Sequence, residues 1–407
     1  MWSLSMAVQA EKSDNRETFL SELEVLKRRF ESMKPELEVT LRDPAMNVEG
    51  YVVVWNTGIS EGGPLEYSGK GGTRITDTLS LDEVKMLART MALKNAAAGL
   101  PLGGSKAGMK ANSSVEGFEA QYRRFVSLCK PFLHENGGIF GGFGFDIGAR
   151  PEMPHWACDE LGSRRSFTGK PVDMGGTDYD REGIAGLGVA IAGKTLIECA
   201  GEEVVGKRFA VQGLGAMGAA VFRYFTEYGG QLSALGDPKF GGSWRFENGV
   251  SEDLKQALIT MDADTAKALI EAEGTQISDS PEHVLYEPVD ILFPCAIQGV
   301  IRDDNVHKLQ ARYITEGANQ PITADTYPML QERGIPTVPD FIANPGGIIA
   351  AFVELTSASE DKVKEAKELT ISKISQNVRD MMALAENYDV EPVHAGMHLA
   401  LNRIFGL

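Results

Sequence analysis

Cysteine is scarce in this chain. Only four cysteines occur in 407 residues, and Cys129, Cys158, Cys199 and Cys295 stand far apart in the sequence. Structural zinc sites and redox pairs need cysteines a few residues apart, so this distribution argues against both. We therefore expect four reduced thiols and no metal site.

A long apolar segment is also missing from the start of the chain. Residues 1–19 carry Glu11, Asp14 and Glu17 among them and contain no long apolar run. A signal peptide or a membrane anchor requires such a run, so we expect neither, and we expect a cytoplasmic location.

Basic side chains are outnumbered by acidic ones. The chain has 57 acidic and 40 basic residues, and its formal net charge is -17 at pH 7. Because surfaces that bind nucleic acids are basic, we expect no nucleic-acid partner. An anionic small molecule must then be attracted by a local positive pocket rather than by the overall charge.

The first half of the chain mixes helical and strand patterns. Apolar residues repeat at helical spacing in residues 16–33, and Gly50–Asn56 is a predicted strand whose partner we expect near Thr73–Thr76. Ser80 is expected to begin a helix that ends near Lys94, because acidic residues in the first turn favour a helix start.

From about residue 183 short apolar runs alternate with helical stretches. The alternation predicts a parallel sheet with crossover helices, in which ligands bind at the carboxyl ends of the strands. The apolar runs are residues 208–211, 231–235, 290–293, 313–315 and 336–338.

The expected fold is therefore α/β with two domains, as the chain length also suggests. We expect an N-terminal α/β domain for substrate binding and oligomerisation over residues 1–182 and a Rossmann-like dinucleotide-binding domain over 183–346. Helices in 347–407 are expected to pack back on the first domain. A cleft with glycine-rich hinges near 183–187 and 345–350 would close and expel water.

Three lysines, Lys70, Lys94 and Lys106, lie on one glycine-rich stretch with few carboxylates. Like charges repel one another and burial disfavours the charged form, so we expect the pKa of one lysine to fall toward neutrality. A lysine with such a pKa can act as a base. With the nucleotide loop described next, the lysines favour a dehydrogenase that acts on a small carboxylic acid.

A dinucleotide-type loop, Gly213-Leu214-Gly215-Ala216-Met217-Gly218, follows the first predicted strand of the second half. In such a loop the first glycine permits the turn, the second lets backbone approach the pyrophosphate, and the third lets helix and strand pack closely. Asp237 ends the next strand, where a carboxylate accepts from ribose hydroxyls and repels a 2′-phosphate. NAD is therefore favoured, and the nearby Lys239 leaves NADP possible.

Eight short motifs occur in order along the chain. They are Lys70-Gly71-Gly72-Thr73-Arg74, Lys94-Asn95-Ala96, Gly103-Gly104-Ser105-Lys106-Ala107-Gly108, Phe145-Asp146-Ile147-Gly148, Thr168-Gly169-Lys170-Pro171, Gln212-Gly213-Leu214-Gly215, Glu316-Gly317-Ala318-Asn319 and Asn344-Pro345-Gly346-Gly347. In these motifs the chain resembles the glutamate/leucine/phenylalanine/valine dehydrogenase family of amino-acid dehydrogenases, and most of all its glutamate-acting members. The resemblance runs from about Tyr51 to the C-terminus.

The resemblance implies reversible oxidative deamination of an L-amino acid to a 2-oxo acid and ammonia. It implies that Lys94 binds the substrate α-carboxylate, that Lys106 activates a water molecule, and that Asp146 exchanges protons with the amino group. Asn319 and Asn344 would orient the nicotinamide end and the substrate. Cofactor contacts are expected at Gly213, Gly215, Ala216, Met217, Gly218, Asp237, Ala296 and Asn319.

Lys70 is the clue to the substrate side chain. Glutamate-acting members of the family carry lysine there to meet the γ-carboxylate, so the resemblance implies L-glutamate. Ala351 stands where those members place a serine that helps to hold the same carboxylate. Ala185, Ala216 and Pro345 also depart from the family pattern.

Two other functions stay open at this point. One is a dehydrogenase for a neutral amino acid, branched-chain or aromatic, and the other is a catalytically silent sensing homologue. The presence of Lys94, Lys106 and Asp146 argues against the silent homologue. Related enzymes form hexamers, so we expect a homo-oligomer, with a hexamer favoured.

Overall fold

A computed structural model describes residues 2–407, with side chains from residue 15 onward. Met1, where the predicted first domain begins, lies outside the described residues. The chain divides into two compact units. Unit 1 comprises the chain up to Glu24 together with Glu182–Gly347 and Thr370–His398, and unit 2 comprises Val25–Arg181, Ile348–Leu369 and Leu399–Leu407. The three-part division inferred from the sequence stays a prediction.

The described chain contains helices and strands in alternation. The helices are α1 (Trp2–Ser32), α2 (Leu81–Ala97), α3 (Phe118–Cys129), α4 (Met153–Leu161), α5 (Ile184–Cys199), α6 (Ala216–Glu227), α7 (Glu252–Thr260), α8 (Ala263–Glu273), α9 (Tyr327–Glu332), α10 (Asp340–Ala343), α11 (Gly346–Thr356), α12 (Lys362–Tyr388) and α13 (Pro392–Phe405). The strands are β1 (Leu37–Asp43), β2 (Val48–Val54), β3 (Gly69–Lys70), β4 (Thr73–Thr76), β5 (Gly103–Lys110), β6 (Phe143–Gly144), β7 (Phe167–Thr168), β8 (Arg208–Gln212), β9 (Gln231–Asp237), β10 (Gly242–Arg245), β11 (Thr275–Ser278), β12 (Ile291–Pro294), β13 (Tyr313–Thr315) and β14 (Thr337–Val338).

The main sheet of unit 2 is a five-stranded mixed sheet. Its strands run in the order β1-β2-β5-β3, and β4 also pairs with β5. Strand β2 is antiparallel to both β1 and β5, whereas β4 is parallel to β5. The predicted pairing of the Gly50–Asn56 strand with Thr73–Thr76 is therefore wrong, because β5 lies between them.

Strand β5 was not predicted from the sequence, and it contains Gly103, Gly104 and Gly108. The structure shows why they are there. A Cβ atom at Gly104 would lie 2.2 Å from the backbone nitrogen of Ala92, which is on α2. Helix α2 thus packs directly on the backbone of β5, and no side chain fits at that position.

Helix α2 begins as predicted. The Ser80 hydroxyl caps it by accepting from the Glu83 backbone N–H at 3.2 Å, and Asp82 and Glu83 lie in the first turn. Lys94 lies in the last turn. The apolar core of unit 2 is formed by β2, α3 and α4, where Val52, Phe125 and Met153 are fully buried.

Unit 1 contains the predicted Rossmann-like sheet. Its seven strands run in the order β11-β10-β9-β8-β12-β13-β14. Five neighbouring strands in this order pair in parallel, namely β9, β8, β12, β13 and β14. The antiparallel strands β10 and β11 extend one edge. Ring contacts of Phe225 with Phe209 and Phe293, at centroid distances of 5.1 and 4.9 Å, join the sheet to α6. Burial of each such ring contributes about 1.5–3 kcal/mol.

In the part of the chain that the structure describes, no helix combines the length and the apolar character needed to cross a bilayer.

Candidate active site

Lys106 and Asp146 form an ion pair in unit 2. Strand β5 carries Lys106, and Asp146 follows β6; their side chains are 7% and 11% exposed. The Lys106 ammonium contacts Oδ2 of Asp146. Oδ1 accepts from Nε of Arg74 at 3.0 Å and from the Ile147 backbone N–H at 2.6 Å. Arg74 is held in turn by Glu83, with Nη1 3.0 Å from the carboxylate.

The surroundings shift the pKa values of both partners. Burial lowers the pKa of Lys106, the nearby Arg74 lowers it further, and the charge of Asp146 opposes both. For Asp146, burial acts to raise the pKa, but Lys106 and Arg74 outweigh it and hold the pKa below its usual value. A lysine that gives up its proton readily therefore lies beside a carboxylate that is ionised at neutral pH.

Lys70 is buried at the end of β3, with 1% of its surface exposed. Its ammonium donates to the carbonyl oxygens of Gly71 at 2.8 Å, Gly142 at 3.1 Å and Phe143 at 2.7 Å. Those three bonds use all three of its protons. Burial, with a smaller contribution from the charges of Lys170 and Lys106, lowers the pKa of Lys70 to about 7, against the opposing charge of Glu354.

A second buried ion pair, between Lys170 and Glu354, was not predicted from the sequence. The residues are 3% and 6% exposed, and their side chains are in contact. The Glu354 carboxylate also accepts from the backbone N–H groups of Gly169 at 3.0 Å and Thr177 at 3.2 Å, and from the Thr177 hydroxyl at 3.1 Å. One signal was available, since Glu354 is the only charged residue in the apolar run Gly346–Leu355. A carboxylate in such a helix indicates a buried partner.

Tyr179 lies against Gly169, whose backbone N–H binds Glu354, and it was also not predicted from the sequence. Its hydroxyl bonds to the Thr168 side chain, and burial raises its pKa far above the usual value. A Cβ atom at Gly169 would lie 2.9 Å from the Tyr179 hydroxyl, and Gly169 has a φ of +85°. The glycine is therefore required by both its conformation and the close approach of the ring.

Lys94 and Ala351 also belong to unit 2. Lys94 is half-buried on α2, and its neighbour Asn95 donates from Nδ2 to the carbonyls of Lys70 at 3.1 Å and Gly103 at 2.7 Å. These bonds join α2 to the strands that carry Lys70 and Lys106. Ala351 is buried on α11, one turn before Glu354.

The predicted cofactor residues of the glycine loop are in unit 1, between β8 and α6. Gly213 has a φ of +87°, and a Cβ atom there would lie 2.6 Å from the Ala296 Cα. At Gly218 a Cβ atom would lie 1.8 Å from the Gly213 carbonyl oxygen, whereas nothing lies within 4 Å of one at Gly215. Gly215 and Ala216 are exposed, Met217 is partly exposed, and no side chain caps α6. The loop thus presents free helix N–H groups in an open space, which fits a pyrophosphate.

Asp237 ends β9 and is 5% exposed. Its Oδ2 accepts from the Leu214 backbone N–H at 2.6 Å, and its Oδ1 accepts from the Lys239 backbone N–H at 2.8 Å. The carboxylate therefore holds the backbone of the glycine loop through its hydrogen bond with Leu214. Lys239 is exposed beside it.

Asn319 and Asn344 are brought together in unit 1. The Asn344 amide Nδ2 donates to the Asn319 Oδ1 and to the Gly317 carbonyl, both at 3.2 Å. The Asn344 Oδ1 is buried and has no hydrogen-bond partner among the side chains and backbone groups described. A buried amide oxygen in this state can accept from an amine or amide of a ligand.

Comparison with known proteins supports these motifs over most of the chain. Residues 35–162 match the Glu/Leu/Phe/Val dehydrogenase dimerisation domain, and residues 175–406 match the Glutamate/Leucine/Phenylalanine/Valine dehydrogenase domain. The chain is 33% identical over 316 residues to the NADP(+)-dependent glutamate dehydrogenase of Pyrobaculum calidifontis, covering 75% of this chain and 72% of that one. It is 30% identical over 318 residues to the NADP-specific glutamate dehydrogenase of Saccharolobus shibatae, covering 75% and 73%.

A solved structure gives the same fold. Glutamate dehydrogenase from Peptoniphilus asaccharolyticus superposes with a TM-score of 0.77 at 23% identity, covering 97% of this chain and 96% of that one. The chain belongs to the glutamate/leucine/phenylalanine/valine dehydrogenase family, and it is an amino-acid dehydrogenase.

Proposed function

We propose that this protein catalyses the NADP-linked reversible oxidative deamination of L-glutamate to 2-oxoglutarate and ammonia. The observation that carries the proposal is the contact between Lys106 and Asp146, since it joins a base of lowered pKa to an ionised carboxylate. The curated relatives named above, both glutamate dehydrogenases, support the choice of substrate.

The two residues divide the proton transfers between them. A bound nicotinamide would supply the acceptor for the hydride of the substrate Cα, which would leave the neutral amine as an iminium ion. Neutral Lys106 takes a proton from water as the water oxygen bonds to the iminium carbon. Asp146 receives that proton through its contact with Lys106 and delivers it to the nitrogen. The carbon–nitrogen bond breaks as the new hydroxyl group becomes the carbonyl and gives its own proton to Lys106. The products are the 2-oxo acid and ammonia, and Lys106 returns to its neutral form when ammonia or solvent takes up that last proton.

Lys94 and Asn344 would hold the substrate. The Lys94 ammonium pairs with the α-carboxylate, and the unpartnered Oδ1 of Asn344 accepts from the substrate amino group. Ala351 contributes only apolar surface next to the substrate side chain. These roles rest on the family resemblance and on the chemistry of each group.

Lys70 would receive the γ-carboxylate. Its three protons are given to backbone carbonyls, so the carboxylate must replace one carbonyl as acceptor. The exchange is favourable because a hydrogen bond to a carboxylate is charge-assisted. A neutral side chain would leave the existing three bonds intact. This saturation of Lys70, together with Ala351, favours a neutral L-amino acid as the second candidate substrate.

The cofactor assignment differs from the sequence-based preference for NAD. Both oxygens of Asp237 accept from backbone N–H groups, so the carboxylate is committed to the loop and less available to ribose hydroxyls. Lys239 is exposed beside it and offers a positive charge to a 2′-phosphate. The two relatives are named as NADP enzymes. We therefore favour NADP, bound by the glycine loop, Ala296 and Asn319.

The assembly and location are part of the same proposal. The match of residues 35–162 to a dimerisation domain supports a homo-oligomer, and we retain the hexamer and the cytoplasmic location as expectations. The experiment that tests the proposed function is steady-state reductive amination with 2-oxoglutarate, 2-oxoisocaproate and phenylpyruvate, each with NADPH and with NADH. Preference for 2-oxoglutarate and NADPH is expected. A strong preference for either of the other acids would overturn the choice of glutamate.

A further inference from the structure

We infer that a pocket in unit 2, whose lining includes none of the predicted substrate residues Lys70, Lys94 and Lys106, binds a small phosphate-class oxyanion. The pocket has a volume of about 280 Å³. Its walls include Ser68, Arg164, Arg165 and Lys362. Nothing in the proposed deamination uses these four residues, so the inference extends beyond that reaction.

The pocket is positively charged in a strongly acidic protein. Arg164 and Arg165 are exposed, and neither guanidinium has an ion pair among the side chains of residues 15–407. Lys362 donates only to backbone carbonyls, those of Gly175 at 3.4 Å and Glu354 at 3.3 Å. These are long hydrogen bonds that a charged acceptor would readily replace.

The two carboxylates of the pocket are already committed. Glu135 accepts from the hydroxyls of Ser163 and Ser166, both at 2.6 Å. Glu354 is paired with Lys170. Beyond the Lys170–Glu354 pair, the lining therefore holds three cationic side chains against the one carboxylate of Glu135, in a chain whose net charge is -17. A local excess of positive charge of this kind attracts anions that the rest of the surface repels.

Ser68 provides an independent sign of a ligand. The residue is fully buried, and its Oγ has no hydrogen-bond partner in the described chain. Its backbone N–H is already satisfied by the Ser60 hydroxyl at 3.0 Å, so only the side chain lacks a partner. Gly141 faces it, and a Cβ atom there would lie 2.9 Å from the Ser68 Oγ. A buried hydroxyl at the wall of a cationic pocket is suited to donate to an oxyanion.

Phosphate fits this lining better than a carboxylate does. Two adjacent guanidiniums, an ammonium and a hydroxyl approach from different residues, and phosphate has acceptor oxygens in several directions at once. A cavity of about 280 Å³ accommodates inorganic phosphate or a small phosphate monoester but not a dinucleotide.

The test is calorimetric titration of the full-length protein with inorganic phosphate in a buffer free of other oxyanions. We expect the Arg164→Ala/Arg165→Ala double variant to weaken phosphate binding by roughly tenfold or more, because each charge-assisted bond is worth about one factor of ten. Ser68→Ala should weaken it by roughly threefold to tenfold. Arg42→Ala, which removes an exposed guanidinium of the same unit, is the matched control and should bind as the wild type does.

A second titration, at saturating 2-oxoglutarate, separates this pocket from the substrate site. Phosphate binding should persist there. Equal affinity of the wild type and the double arginine variant would overturn the inference, and so would loss of phosphate binding on addition of 2-oxoglutarate. Tighter binding of succinate than of phosphate would refute the phosphate class. The titrations need no turnover, so their failure leaves the deamination proposal intact, and an inactive protein that binds phosphate would count against that proposal alone.

Ser68 is buried, so its variant is checked by circular dichroism. If Ser68→Ala does not fold, the exposed Arg164 and Arg165 still decide the question, since their replacement leaves the core untouched.

Discussion

The two oxygens of the Asp146 carboxylate have different partners. Oδ2 contacts the ammonium of Lys106, whereas Oδ1 accepts from Arg74 and from the backbone of Ile147. One oxygen is thus fixed by groups that keep their protons, and the other faces Lys106, whose pKa is lowered by burial. This asymmetry gives the proposed proton transfer a direction.

Replacement of the base is the first test of that arrangement. Lys106→Met should lower the deamination rate by about 10²–10⁴-fold, which is the usual contribution of a general base. Lys110→Met is the matched control, because Lys110 is an exposed lysine on the same strand. The rates are measured by the change in NADPH absorbance, with circular dichroism to verify folding. A Lys106→Met enzyme as fast as the wild type would exclude the mechanism.

Removal of Arg74 should shift the pH dependence. Arg74 lowers the pKa of both Asp146 and Lys106, so Arg74→Met raises both. In the proposed mechanism Asp146 is ionised and Lys106 is neutral, and both forms appear only above the respective pKa. The rising limb of the rate profile should therefore move to higher pH. A profile that matches that of the wild type, or of Arg42→Met as a control, would show that Arg74 has no such role.

The pKa of Lys70 leads us to expect that the affinity for 2-oxoglutarate depends on pH. Its pKa is about 7 in the protein without substrate, and the ammonium form that attracts a γ-carboxylate exists below that value. The KM for 2-oxoglutarate should therefore increase above pH 7, by up to about tenfold per pH unit. The KM for 2-oxoisocaproate, which has no second carboxylate, should show no such increase.

The Lys70→Leu variant isolates the same interaction. It should lower kcat/KM for 2-oxoglutarate by roughly 10–100-fold, since a charge-assisted hydrogen bond is lost, and leave that for 2-oxoisocaproate nearly unchanged. If both acids lose the same factor, Lys70 supports the fold and does not select the substrate.

The Lys170–Glu354 pair should matter for stability. Lys170→Met leaves a buried carboxylate without its counter-ion, and the loss in unfolding free energy should be about 3–5 kcal/mol. Lys364→Met removes a lysine whose pair with Glu368 is 71% and 66% exposed, so it should cost less than about 1 kcal/mol. Urea unfolding of both variants measures the difference. Similar midpoints would mean that the buried pair adds little.

Replacement of Lys239 tests the proposed preference for NADP over NAD. Lys239→Ala should raise the KM for NADPH by about tenfold, because one charge-assisted contact to the 2′-phosphate is lost, with no change for NADH. Lys267→Ala, an exposed lysine on α8 of the same unit, is the control. An equal effect on the KM values of the two cofactors would show that Lys239 does not recognise the 2′-phosphate.

The sequence by itself determined the features that depend on neighbouring residues. Ser80 and the acidic residues after it mark the start of α2, and the apolar runs from residue 208 mark the parallel strands. The turn at Gly213 and the close approach at Gly218 follow from glycines two to five residues apart, so local spacing was enough to place the glycine loop.

Only the tertiary structure decided which distant groups meet. Glu354 pairs with Lys170 across 184 residues, and Arg74 reaches Asp146 across 72. Neither partner is marked by local spacing, because packing of separate elements brings them together. The position of β5 beside β2 was also decided by packing. Its glycines are atypical of a strand, and they are explained only by the packing of α2 on the β5 backbone. Local patterns specify elements, whereas the choice between charge partners depends on which side chains are removed from water together.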